Sequence, residues 1–254
     1  MIKQLTSVLS FITLSLLVFS SVTFADDTSK KRDWQFNLAP FYLWGVNIDG
    51  DISAGPASAQ VKVPFDDIFD SLESAFIVHF ETLYKQQWGV LVDVNYLDLE
   101  NKMALPAGIS ANIDLNLTLA EFSAFYRLNR GAHKIDFIAG GRYVDLENKV
   151  SVVGGPTLMD GNQDWIDPLV GARWMWEFAD RWSLIARGDI GGFGVGSDFS
   201  WHALGLVEWQ PWKYASFIAG YRALDMDYED GSGRDYFKYD ATIHGPVVGV
   251  NFKW

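Results

Sequence analysis

Eight charged residues carry most of the chemistry this sequence offers: Glu81, Asp93, Glu121, Asp189, Arg142, Arg173, Arg187 and Arg222. Each falls on the polar phase of a segment in which apolar and polar residues alternate. Four acids and four arginines can pair across an enclosed space, which they would then plug. Kept apart by water, they would line a narrow passage with a transverse field. His79 and His202 share the same phase. A second group sits nearer the segment ends: Lys85, Arg127, Asp136, Glu177, Glu208 and Lys253.

Other chemistries find less support. A hydrolase needs a nucleophile beside a His and an orienting acid. Asp240 and His244 lie one helical turn apart in number, with His202 as a further candidate, but no Ser stands in a nucleophile elbow. No catalytic residue is assigned, and the chain is not expected to be an enzyme. "GDIGGFGVGSDFSW" (188–201) has the glycines of a phosphate loop but neither its Lys-Ser/Thr nor a following helix. It reads as a tight hairpin. With no Cys there is neither a disulfide nor a thiolate metal site, and no metal or cofactor is expected.

One pattern recurs. "NYLDLENK" (95–102), "RYVDLENK" (142–149) and a looser "RALDMD" (222–227) each put an acid three residues after a polar residue. Parity places Asn95, Arg142 and Arg222 on one face and Asp98, Asp145 and Asp225 on the other. The plain reading is one boundary solution used repeatedly. The sharper reading is that the three outward acids bridge, through divalent cations, to lipid phosphates.

The elements that must position these residues are strands. Phe76, Val78, Phe80, Thr82 and Tyr84 alternate with Ile77, His79, Glu81, Leu83 and Lys85, and the next segment repeats the pattern. Period two with one apolar face is a strand. Ten are expected, at 34–50, 74–86, 88–101, 113–127, 134–149, 165–178, 182–195, 198–210, 213–228 and 236–254. Eight or twelve remain compatible with the pattern. "AQVKV" (59–63) reads as part of an external hairpin, and "PFDDIFDSLE" (64–73) as a short amphipathic helix.

Three features turn these strands toward a membrane rather than a soluble sandwich. Short links near 85–88, 128–134, 178–182 and 209–213 alternate with longer stretches at 51–73, 101–112, 150–164 and 229–235, the habit of outer-membrane barrels. Trp88, Trp176, Trp182, Trp209 and Trp212 all stand beside the short links, as an aromatic girdle requires. Val248, Val250, Phe252 and Trp254 alternate to the last residue. That ending is similar to the signal read by the bacterial barrel-assembly machinery, which it implies as a partner during biogenesis.

The expected architecture is all-β: a transmembrane up-and-down antiparallel barrel spanning 34–254. Residues 1–25 read as a signal peptide, with Lys3 before an apolar stretch and Thr23-Phe24-Ala25 as a cleavage site. Residues 26–33 are a short tail. The net charge of −12 argues against nucleic acid as a partner. Outer-membrane lipids are the expected neighbours, and the sequence names no external partner.

"FDDIFDSLESAFIVHFETLYKQQWGVLVDVNYLDLE", "GDIGGFGVGSDFSWHAL" and "GYRALDMDYED" resemble a largely uncharacterised family of Gram-negative outer-membrane β-barrel proteins, small and porin-like. The resemblance implies the barrel fold and an outer-membrane location. It carries no agreed substrate or active site. The function expected from the residues is therefore a structural barrel, or a narrow pore for ions or small polar solutes. The alternative is a surface protein that binds outer-leaflet lipid or an external partner.

Overall fold

The computed structural model describes residues 33–55, 57–70, 72–105, 109–155, 157–233 and 236–254. The segment expected as a signal peptide (1–25) and all of the expected tail (26–33) but Asp33 lie outside them. The described strands are β1 (Trp34–Trp44), β2 (Asn47–Ala54), β3 (Ala57–Val63), β4 (Leu72–Tyr84), β5 (Trp88–Leu105), β6 (Ile109–Arg130), β7 (His133–Val152), β8 (Thr157–Ala179), β9 (Trp182–Gly192), β10 (Phe199–Trp212), β11 (Ala215–Asp230) and β12 (Phe237–Lys253). Among the described residues one helix, α1 (Phe65–Asp70), precedes β4.

Every strand from β4 to β12 pairs antiparallel with its sequence neighbour, and β1 pairs with both β4 and β12. The wall is thus a closed ten-stranded barrel, and β2–β3 is a hairpin added at one end. β1 pairs with β12 and, through its lower half, with β4, so that part of the wall has no free sheet edge, the condition for strands to cross a bilayer.

The stretch expected as one strand over 34–50 divides at Gly45-Val46 into β1 and β2. The stretches expected as long loops are mostly strand. β5 runs to Leu105, β6 begins at Ile109, and β8 begins at Thr157. The reason is a reversal of polarity along each tall strand. Low on the wall, Phe122, Phe137, Ile166, Val170, Ile190 and Val248 face outward and are exposed, while charged residues face inward. Higher up, the inward residues are apolar: Leu99, Leu117, Val144, Leu146, Leu224 and Met226 are all buried. The outward ones there are acids, amides and hydroxyls. A search for an outward apolar face stops at this reversal, although the strand goes on as a soluble barrel would.

The repeated pattern is this reversal. In "RYVDLE" Arg142 is the last inward charge, Val144 and Leu146 begin the inward apolar set, and Asp145 and Glu147 face out. "NYLDLE" and "RALDMD" do the same with Asn95–Leu97–Leu99 and Arg222–Leu224–Met226.

Candidate functional site

The barrel interior has two storeys. The lower one is a lattice of ion pairs that crosses the lumen. Arg173 on β8 reaches Glu81 on β4 through both terminal nitrogens, one at 3.0 Å, and Asp136 on β7 at 2.7 Å. Asp136 also takes Arg127 in a two-pronged pair at 2.7 and 2.9 Å. His79 links Glu81 (2.8 Å) to Asp93 (3.0 Å). Arg222 on β11 donates to Asp93 at 3.1 Å and to Asn95 at 3.2 Å. A neighbouring cluster holds Glu121, Arg142, Arg187, Asp189 and His202. Arg142 donates to Asp189 at 2.8 Å and to Glu121 at 3.3 Å. Arg187 donates to Glu121 at 2.6 Å and to Asp189 at 2.9 Å, and His202 Nδ1 lies 2.9 Å from Asp189.

All eight charges singled out in the sequence are therefore buried and share partners. Their burial calls for such pairing, because a lone charge out of water is costly. Of the second group, Arg127 and Asp136 join the lattice, and Lys253 pairs with Glu208 in the lumen. Lys85 does not: it lies exposed in the β4–β5 turn with φ 49°. Glu177 is also exposed and pairs with Lys134 instead. Both sit where the strand ends and parity lapses. Arg142 Nε and Nη1, Arg222 Nε and His202 Nε2 are buried without a hydrogen-bond partner among the described residues. A cavity of about 80 Å³ adjoins Arg222 and His202.

The upper storey is an apolar core inside the barrel. Trp165 on β8 stacks on Tyr228 on β11, rings 4.0 Å apart and 8° from parallel. Tyr42, Trp44, Val46, Ile48, Tyr239 and Ile243 pack into the same core, and Ile68 brings α1 onto it. The β2–β3 hairpin adds Ile52, Val61 and Val63. None of these residues is charged, so charge does not mark them in the sequence. The only signal for them is the aliphatic residue between the acids of each repeat.

The weak catalytic candidates are not brought together. His202 faces the lumen, whereas His244 faces outward between Tyr221 (2.6 Å) and Asp49 (2.9 Å). The Gly-rich 188–201 segment is the β9–β10 turn, with positive φ at Gly192, Phe193 and Gly194. Its Ser197 donates from N and Oγ to buried Asp167, at 2.6 and 2.8 Å.

The rim acids are not gathered either. Asp98, Asp145 and Asp225 stand outward on β5, β7 and β11, and Asp225 accepts a hydrogen bond from Thr242. Among the described residues no group of three or more His, Asp or Glu has the geometry of a metal site. Nearer the tip, Lys238 lies between Asp227 (3.5 Å) and Asp240 (3.1 Å); the hydrogen bond to Asp240 and the charge of Asp227 raise its pKa. Replacing Asp98, Asp145 and Asp225 together by Asn should leave the melting temperature unchanged, with or without chelator. A chelator-sensitive drop confined to the wild type would establish the cation bridge.

At the short-turn end the aromatics form a belt. Trp88, Trp176, Trp182, Trp209 and Trp212 are all exposed there, joined by Trp34 and Trp174. Trp182 stacks on Trp209 at 5.9 Å, and Trp174 on Trp176 at 6.0 Å. No helix among the described residues is long and apolar enough to cross a membrane; the strands do the crossing. A closed ladder, an outward apolar band and a basal aromatic girdle define an outer-membrane-type β-barrel.

No protein-family profile matches the chain, and no curated protein does. Three solved structures are similar to it. The translocator domain of autotransporter NalP from Neisseria meningitidis is 11% identical, with 97% of each chain covered and a TM-score of 0.49. Ail of Yersinia pestis is 7% identical, over 88% of this chain and all of that one, with a TM-score of 0.41. OprG of Pseudomonas aeruginosa is 10% identical, over 90% and 99%, at 0.35.

Proposed function

We propose that the protein is a structural barrel with a sealed axis, acting through its wall and outer rim on the surrounding outer-leaflet lipid. The observation that carries this reading is the filling of the lumen twice over. Ion pairs cross it low down, from Arg173 to Glu81, Arg187 to Glu121 and Arg222 to Asp93. The Trp165–Tyr228 stack and its apolar neighbours cross it above. An ion would have to break buried pairs and then traverse hydrocarbon. Purified protein in a planar bilayer should therefore give no step conductance. Regular, ion-selective steps would overturn the reading.

Narrow passage of ions is the second reading. It keeps one supporting observation, the small cavity within the charge layer beside His79, Asp93 and Arg222. That space suffices for water, and the same recordings decide between the two.

A further inference from the structure

Between β1 and β4 the wall comes unzipped in its outer half. The last rung of that ladder is Ala39 opposite His79. Pro40 follows, and proline has no N–H to give to a ladder. The pairing of β1 with β12 is irregular at the same point, between Leu38 and Phe41. Beyond it, among the described residues, Tyr42, Leu43 and Trp44 pair with β12 alone, and the start of β4 pairs with β5 alone. The departing chain passes tightly over Gly245, where a Cβ would lie 1.7 Å from the Gly45 carbonyl oxygen.

Among the described residues a second seam lies where β8 and β9 part above the Leu169–Gly191 rung. Ser197 closes that one with its hydrogen bonds to Asp167. At the β1–β4 seam a cavity of about 310 Å³ takes the place of the ladder. Its walls belong to both sides of the barrel. Trp44, Leu117 and Leu119 come from the buried interior, and Leu43, Tyr96 and Val248 from the outward face. Phe65 and Ile68 of α1 also line it, and α1 is anchored by Phe65 N donating to Asn47 Oδ1 at 2.9 Å.

We propose that this cavity binds the acyl chain of an outer-leaflet lipid, admitted sideways between β1 and β4. Three observations carry the proposal. The lining is overwhelmingly apolar, and an apolar cavity holds hydrocarbon in preference to water. The volume falls at the small end of the roughly 300–1,000 Å³ of ligand pockets. The mouth opens at the depth of lipid chains. Leu43 pairs with Val248 about six residues above terminal Trp254, and Phe76 lies about eight above Tyr84. At roughly 3.3 Å per residue and a strand tilt of about 40°, that is roughly 15–20 Å above the girdle, inside an apolar band about 25 Å tall. What reaches the mouth there is a lipid tail. The polar floor, where Arg222 lies 4.5 Å over the Trp44 ring and Asn95 holds Arg222, limits how deep the tail runs. The proposal stands whether or not the axis conducts.

The test is photo-crosslinking of the full barrel in phosphatidylcholine vesicles doped with a phosphatidylcholine that carries a mid-chain diazirine. Adducts on Leu117, Leu119 or Ile243, whose side chains face inward, are expected. Adducts confined to Leu43, Phe76, Phe122 and Val248 would mean ordinary annular lipid and overturn the proposal. Ala75 lines the cavity and is exposed, so Ala75→Trp should fold and block the mouth. It should cut the inward adducts about tenfold, the equivalent of one decade in affinity, and leave those on Phe122 as they were. Inward adducts undiminished in Ala75→Trp would rule out admission through this seam.

Discussion

Deletion of Phe252 to Trp254 should abolish insertion of the barrel, while export of the chain continues. These residues close the wall. Phe36 and Trp254 exchange both backbone hydrogen bonds, at 3.0 and 3.1 Å, and their rings stack at 5.7 Å. Phe252 stands opposite Leu38 on one side and Ala215 on the other, and Lys253 N donates to Tyr214 O at 2.9 Å. Without them β1 and β12 meet only along the four rungs from Phe41 to Trp44, beyond the register shift. An open edge in lipid leaves backbone groups unsatisfied at several kcal/mol each. Val248 and Val250 remain in this deletion, so it separates the last turn of the assembly signal from the rest of the strand. The measurement is the heat-modifiable band of the folded barrel in outer-membrane fractions. A normal band after deletion would show that neither closure nor the signal needs these residues.

Arg173→Ala should be the most damaging single substitution in the charge layer. The guanidinium holds Glu81 from across the lumen and Asp136 beside it, and its carbon lies 5.2 Å from the Phe125 ring. Truncation leaves two buried carboxylates short of a cation. Breaking one partner out of a buried pair costs about 3–5 kcal/mol. Unfolding in urea, followed by loss of heat-modifiability, should show a midpoint shift of that order. Arg130→Ala, exposed at the end of β6, should shift it little. Any conductance that arises in Arg173→Ala should be cation-selective, because the carboxylates remain. A variant as stable as the wild type would mean that water already separates these groups, contrary to the packed lattice.

The strands, their parity and the inward direction of the charges were legible because period two is a local property of the chain. Glu81, Asp93 and Arg187 needed only their immediate neighbours to be assigned a face. The terminal aromatics and the Trp residues by the short links were legible for the same reason. The apolar upper core was not. Leu99, Val144 and Leu224 look like lipid-facing residues out of phase until the height at which the bilayer ends is known. That height is a property of the whole wall, since neighbouring strands must change polarity together.

The sequence by itself determined that this chain closes into a membrane barrel with acids and arginines inside. Only the tertiary structure decided that Arg173 meets Glu81 and Arg222 meets Asp93, partners 92 and 129 residues apart. It alone decided that an apolar core occupies the lumen above them. Which residues face each other across a lumen depends on the stagger of the ladders and the closure of the sheet, and no local pattern encodes either. The seam at β1–β4 lies between the two cases. Pro40 removes from the sequence an N–H that a ladder would use, but whether a serine clamps the gap or a cavity remains depends on what the fold brings opposite.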